Sequence, residues 1–473
     1  MRDGVSRGRG APRWAFPDRG TFSALCSRKY FVFAKGGAAV AREETTSVPV
    51  SSVERKVLLA SLVGSAIEWY DYFLYGTVAG LVFNKRFFPS EDPFVGLMIA
   101  YSAFALSFFM RPLGGILFSH FGDRHGRKRT LVLTLSLMGG ATALMGVLPD
   151  YEAIGIWAPA LLVALRLIQG LGLGGEWGGA LLLAVEYAPK DRRGFFGSIP
   201  QIGVTIGMLL GTLSLSLLSL LPDEAFMSWG WRVPFLLSLA LIAFGLWIRT
   251  GLDETPSFKK ALGAGRTVRL PVVETFRRHG KAVLVTTGAK VVETAPFYLF
   301  STFIVSYATG TLEMDRRAVL NAVSLATLVA TVLIPLMGAL SDRVGRRKLY
   351  VAGAVLLMLY AFPYFWLLDL RQGWALMLAT VLGLGILWAP VTAVLGTLFA
   401  ENFSTEVRYT GVSLGYQLGA SLAGGTAPLI ATALLRAFDQ SSVPLAFYLM
   451  LTALISLVAV AFAREARGRE LDG

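Results

Sequence analysis

After about residue 53 nearly the whole chain is divided into long apolar runs separated by short charged loops. Twelve runs can be placed, at about 57–83, 94–119, 130–148, 156–185, 195–220, 231–250, 281–308, 319–341, 349–368, 374–400, 409–436 and 443–462. A helix needs about 20 apolar residues to cross a hydrocarbon core of ~30 Å. No water satisfies backbone groups there, so a spanning segment must be a helix or belong to a closed barrel. The ten-residue alternation of barrel strands is absent. The spacing therefore predicts an all-α membrane protein with twelve transmembrane helices. Composition agrees: the chain is 16% charged, where a soluble domain carries about 25%.

The net charge of +13 first suggests a nucleic-acid partner, but its placement points to a membrane surface instead. With the N-terminus inside, inner loops and tails hold 34 of the 44 Lys and Arg, and outer loops hold 7. Without the first 53 residues the ratio is still 25 to 7. By the positive-inside rule both termini are expected in the cytoplasm of a bacterial inner-membrane protein, with no nucleic-acid partner. The three basic residues left over, Arg111, Arg166 and Lys290, fall inside predicted spans. A single cysteine, Cys26, allows no internal disulfide, and His120, His125 and His279 lack metal-ligand spacing. Residues 1–52 are rich in Arg, Gly and Ala without helical period, and are expected to be a disordered tail or the product of a start site placed too far upstream.

One long polar loop splits the spans six and six. The expected domains are a bundle over 53–250, a cytoplasmic linker over 251–280, a second bundle over 281–463 and a tail over 464–473. The bundles repeat each other. "GDRHGRKR" follows the second span and "SDRVGRRK" the eighth, with Asp123 and Asp342 offset by 219 residues. Glu186 precedes Arg193 after the fourth span as Glu401 precedes Arg408 after the tenth, at an offset of 215. Parallel six-helix repeats are a transporter architecture, with the substrate site at midplane between them.

The paired loop motifs and "RLIQGLGLGGEWGGA" (166–180) resemble the major facilitator superfamily. "EWYDYFLYG", "RPLGG", "GGEWGGA", "SWGWRVPF" and "ETPSF" resemble its metabolite:proton symporters, which carry shikimate, 2-oxoglutarate, citrate, or proline and betaine. "SWGWRVPF" with "EYAPK" looks nearest to the shikimate branch. The resemblance covers about residues 51–473 and implies two pseudo-symmetric bundles, alternating access and proton-coupled uptake of a small organic acid. Two departures stand out. Ser119 occupies the place that Gly338 holds in the second loop motif, and Glu68 stands where the shikimate branch often has Asp. The ten residues after the last span do not resemble the coiled coil of osmosensing carriers.

The charges inside the spans are the candidate site. An ionisable group at the centre of a span costs roughly 2.5–3.5 kcal/mol to insert, so such groups usually mark ion or substrate paths. Glu68 and Asp71 lie three apart on the first span, on one helical face that Tyr72 and Tyr75 extend. Burial disfavours the charged form of a carboxyl group, which suits proton exchange. The position of Arg166 resembles that of the family arginine that pairs with a first-span acid. Alternation of Asp71 or Glu68 between a proton and Arg166 is one expectation, and a permanent structural pair is the other. Lys290 and Glu293 are again three apart, with Tyr298 beyond. They either neutralise each other or leave Lys290 for a substrate carboxylate. Arg111 either binds substrate or snorkels to the interface. Glu176, among glycines, is a second proton site or a structural acid. Gln169, Gln201, Trp388 and Gln417 are candidate cavity polars and aromatics.

The resemblance further implies that Asp123, Arg127, Glu186 and Arg193, and their counterparts Asp342, Arg346, Glu401 and Arg408, form ion-pair clusters that close the cytoplasmic end. "GLGLGG" (170–175) is not a dinucleotide loop, since no strand precedes it. No nucleophile–base pair or metal cluster sits at membrane depth, so neither an enzyme nor a cofactor is expected. A proton-coupled exporter and a zwitterion importer of the same fold are the alternatives. The span-5 sequence "GSIPQIGVTIGMLLG" lacks the Gly-Pro pair common in proton antiporters. The expected partners are an organic anion, protons and lipid, with the monomer as the working unit.

Overall fold

A computed structural model describes residues 52–125, 127–174, 177–186, 188–189, 191–250, 271–403 and 407–463. Every regular element among them is helical. The first bundle holds α1 (Ser52–Val78), α2 (Pro93–His125), α3 (Arg127–Val147), α4 (Trp157–Leu173, resuming at Trp177–Glu186), α5 (Arg193–Leu218) and α6 (Arg232–Thr250). The second holds α7 (Pro271–Tyr298), α8 (Arg316–Val344), α9 (Arg346–Asp369), α10 (Gly373–Thr380, resuming at Ala389–Glu401), α11 (Arg408–Ala423, resuming at Ala427–Ala437) and α12 (Val443–Ala461). Each predicted span falls on one of these twelve. Nine helical segments among the described residues are long and apolar enough to cross a membrane. Val132–Val147 and Trp157–Leu173 are shorter apolar helices, and α1 completes the set. Of the tail expected over 1–52, the linker over 251–280 and the tail over 464–473, residues 1–51, 251–270 and 464–473 lie outside the described residues; the rest of the expected linker is already helical, since α7 begins at Pro271 and kinks at His279.

Burial is arranged as a bilayer requires. Leu117, Leu217, Leu284, Leu359 and Phe447 are more than half exposed, while Asp71, Arg111, Arg166 and Lys290 are buried. Exposed Trp157, Trp229, Trp247 and Trp374 lie near helix ends, where aromatic side chains favour the headgroup region. Prolines 112, 200, 296, 335 and 363 lie inside helices. Membrane helices tolerate them because neighbouring helices satisfy the freed carbonyls.

The sequence repeat has a structural echo. A π-helical turn follows α1 at Ala79–Phe83 and α7 at Leu299–Phe303, an offset of 220. The halves meet along two seams, α5 against α8 and α2 against α11. At the first seam, a Cβ on Gly338 would stand 2.5 Å from Ser198 Oγ and 2.7 Å from the Gly194 carbonyl oxygen. The loop-motif glycine is therefore a point of close backbone approach between α8 and α5. Replacement by Leu must push α8 away from α5. Gly338→Leu is expected to raise thiol labelling of single cysteines placed at this end of the cavity, and an unchanged labelling pattern would show that the seam is not closed there.

Candidate functional site

The helix α1 carries the stretch "EWYDYFLYG", and its side chains diverge. Asp71 turns into the first bundle toward α3, where its Oδ2 would lie 3.3 Å from a Cβ on Gly139. Neither of its carboxyl oxygens meets a partner at bonding distance. The adjacent hydroxyl, Thr142, donates to the Met138 carbonyl at 3.0 Å and accepts from Gln169 Nε2 at 2.8 Å. Glu68 is also buried and lies within electrostatic reach of Tyr416 on α11. The hydroxyl of Tyr72 bonds to Ser107 Oγ of α2 at 3.0 Å, and the Tyr75 ring lies 3.9 Å from the Arg166 guanidinium carbon.

Arg166 does not bond directly to Asp71, contrary to the expected first-span pair. Its Nη2 donates to Ser107 Oγ at 2.7 Å, and its Nη1 donates to Gln169 Oε1. Gln169 then reaches Thr142 and, at 3.4 Å, the backbone carbonyl of Asp71. The amide of Gln169 thus links Arg166 to the backbone of Asp71, not to its carboxyl group. The physical reason is the ring of Tyr75 under the cation. Cation–π contact and two side-chain acceptors hold the charge without a carboxylate.

Between the halves lies a cavity with a water-accessible volume of about 20 Å³, room for about one water. Trp69, Phe108, Arg111 and Val204 line it from the first half, and Lys290, Glu293, Thr294, Phe297, Tyr298, Trp388, Tyr416 and Ala420 from the second. Arg111 does not snorkel: it is 1% exposed, and its guanidinium carbon lies 4.1 Å from the Tyr72 ring centroid and 4.0 Å from that of Phe108. Its Nε and Nη2 have no hydrogen-bond partner. Lys290 donates to Glu293 Oε2 and sits 3.7 Å from the Tyr416 ring centroid, so the neutralising reading of that pair is the arrangement observed. Thr294 donates to Glu293 Oε2 at 2.7 Å and Thr392 to Oε1 at 3.1 Å. Trp388 Nε1 donates to the Glu293 carbonyl at 2.6 Å.

Of the expected site residues, Arg111, Lys290, Glu293, Tyr298 and Trp388 line the cavity. Tyr75, Arg166 and Gln169 stand behind it in the first bundle. Gln201 and Gln417 bridge the halves instead: Gln201 Nε2 donates to Thr392 Oγ1 at 3.1 Å, and Gln417 Nε2 to the Gly174 carbonyl at 3.2 Å. Trp69, Tyr416, Thr294 and Phe297 were not singled out from sequence. Trp69 directly follows Glu68, and Phe297 repeats the α7 face of Lys290 and Glu293 at helical spacing. Glu176 and the side chains of Asp123, Arg127 and Glu186 lie outside the described residues.

At the second loop motif Asp342, Arg346 and Glu401 come together in ion pairs. Arg346 bonds to Asp342 at 2.7 Å and lies 3.4 Å from Glu401. Arg408 Nε donates to the Ala400 carbonyl at 3.1 Å. Asp342 also accepts the backbone N–H of Gly194 at 2.8 Å and of Phe195 at 3.0 Å, across the seam. A carboxylate on the N-terminus of α5 is favoured by the helix dipole and by orphan N–H groups. Arg193 belongs to this seam through its carbonyl, which accepts from Thr397 Oγ1 at 3.3 Å. The opposite end is closed too. Arg316 pairs with Asp223 at 3.0 Å, Arg436 with Asp92 at 2.7 Å, and Tyr101 OH bonds to Ser306 Oγ at 2.8 Å.

A helical membrane protein with a small, charged cavity between two repeated bundles is a transporter in architecture. The sequence model of the Major Facilitator Superfamily matches residues 61–416 and 295–472, and the chain belongs to that superfamily. It is 40% identical over 416 residues to the Shikimate transporter of Escherichia coli K12, covering 87% of this chain and 95% of that one. It is likewise 40% identical over 437 residues to the Inner membrane metabolite transport protein YhjE of the same organism, covering 90% and 98%. A partially occluded inward-open structure of the E. coli xylose transporter XylE superposes with a TM-score of 0.68 at 18% identity, over 89% of this chain and all of that one. That last likeness concerns the fold. Both named relatives are transporters, and the chain is a multi-pass membrane transporter rather than an enzyme.

The Gln169 bridge carries a measurable share of stability. Gln169→Leu leaves Thr142 and one Arg166 N–H without their partner, each at a cost of about 1–3 kcal/mol. Thermal unfolding in detergent is expected to shift down accordingly, whereas an unshifted midpoint would mean the bridge is not made.

Proposed function

We propose that the protein imports a small organic acid together with a proton by alternating access. The observation that supports this most directly is Arg111, a buried cation at the cavity wall whose Nε and Nη2 lack an acceptor. A substrate carboxylate meets that requirement with bidentate, charge-assisted bonds. The 40% likeness to a relative named for shikimate supports an organic-acid substrate of the shikimate or dicarboxylate kind. The excess of basic residues in alternate loops supports cytoplasmic termini.

Asp71 is the proposed proton carrier, with Glu68 as a second candidate. Arg111 and Arg166 are close enough to repel each other. A charged Asp71 offsets part of that positive field, and a protonated one does not. The anion is therefore held best when the proton is bound, and by linkage the anion promotes proton binding in return. That sign is the one symport needs. The cluster of Asp342, Arg346, Glu401 and Arg408 serves as the cytoplasmic gate, and Asp123, Arg127, Glu186 and Arg193 are its proposed counterpart. Each monomer would carry its own pathway.

Purified protein in proteoliposomes, screened with shikimate, 2-oxoglutarate, citrate, aromatic acids and betaine, tests the reading. A pH gradient of one unit supports up to about tenfold accumulation per proton. Asp71→Asn is expected to abolish that accumulation while retaining exchange of internal for external substrate. Undiminished accumulation in both Asp71→Asn and Glu68→Gln would refute the coupling scheme.

A further inference from the structure

The charge count at the cavity wall goes further than a generic anion. Among the described residues, three charged side chains line the cavity: Arg111, Lys290 and Glu293. Two of them cancel. Lys290 donates to Glu293 Oε2, its ammonium rests on the Tyr416 ring, and Thr294 and Thr392 occupy further acceptor positions of the same carboxylate. Lys290 and Glu293 are both buried, so releasing either leaves an uncompensated charge in low dielectric. Arg111 is in a different position. The aromatic faces of Tyr72 and Phe108 fix its guanidinium but accept none of its in-plane N–H bonds.

We propose that Glu293, by holding Lys290, sets the charge of the substrate: the site admits a monocarboxylate anchored on Arg111 and rejects a second carboxylate. This rests on the reading that the cavity takes an organic acid. A second carboxylate would have to break the Lys290–Glu293 pair or stay buried without a counter-charge, and both are costly. The rest of the substrate must be neutral. The Tyr298 hydroxyl and the Trp69 Nε1 are buried at the same wall without hydrogen-bond partners, which suits hydroxyl groups on that neutral part. An ammonium finds Glu293 already engaged.

A matched pair of probes isolates the charge. Tryptophan fluorescence, reporting from Trp69 and Trp388, is titrated with cyclohexanecarboxylate and with trans-cyclohexane-1,4-dicarboxylate at about pH 7, where free carboxyl groups are ionised. The full-length protein is expected to bind the monoacid at least tenfold more tightly than the diacid. Glu293→Gln frees Lys290 and should shrink that ratio tenfold or more, mainly by tightening the diacid. The double variant Lys290→Met with Glu293→Gln removes both members of the pair, a change that buried ion pairs often tolerate. It should restore the preference for the monoacid, because Arg111 remains. Equal binding of the two acids by the unaltered protein, or a ratio that Glu293→Gln does not move, would overturn the proposal. If neither acid binds while proteoliposomes still take up an organic acid, the charge rule fails and the uptake reading stands. If uptake is absent as well, both fail.

Discussion

The structure depends on how charge is held in a medium without water. A charged group in hydrocarbon persists only if protein groups replace its hydration shell. The buried cations meet that requirement in three ways. Lys290 is held by a carboxylate, Arg166 by two uncharged acceptors and a ring, and Arg111 by rings alone. These solutions fix neighbours from several helices at once: α1, α2, α3 and α4 around Arg166, and α7, α10 and α11 around Glu293. Helix association in a membrane lacks a hydrophobic drive between apolar surfaces. Polar networks and close small-residue contacts such as Gly338 against Gly194 therefore position the bundles.

The two halves share a scaffold and differ in chemistry. Loop motifs, gate residues and π turns recur at offsets of 215–220. The bridging glutamines recur too: Gln201 of α5 reaches α10 of the other half, and Gln417 of α11 reaches the carbonyl of Gly174 just after α4. At the same spacing of 219, however, Asp71 on α1 corresponds to Lys290 on α7. An acid and a base thus stand at equivalent positions. The departure from pseudo-symmetry gives the first half a carboxyl group without a direct partner and the second a neutral pair.

What could be read from sequence was local or repeated. Twelve runs, two loop motifs and the i, i+3 pairing of Lys290 with Glu293 each require only a helix, and each is present. The Asp71–Arg166 contact required knowing which of two neighbouring acids faces α4, and neither periodicity nor composition carries that. Positions three apart on a helix point about 60° apart, enough to send Asp71 toward α3 and Glu68 toward α11. The rings around Arg111 were hidden for another reason. Phe, Tyr and Trp make up 12% of the chain, so an aromatic at any helical position carries little information until the tertiary packing selects it. The same holds for Tyr416, which became part of the site through its place under Lys290.

The small cavity links binding to conformational change. It has room for about one water, so an organic acid enters only when one seam parts. The contacts that close the two ends differ in kind. At the loop-motif end a partly buried carboxylate caps α5, whereas at the other the Arg316–Asp223 pair involves an 85% exposed Asp223 beside the buried Tyr101–Ser306 bond. Exposed pairs of that sort contribute about 0–1 kcal/mol. On the proposed reading Arg111 supplies the drive toward closure: a substrate carboxylate would give its Nε and Nη2 the acceptors they lack, so occupancy would lower the free energy of states in which the walls converge on the substrate. Ligand binding would thereby shift the population toward closure by its differential affinity for the closed wall, with Arg111 as the proposed source of that difference.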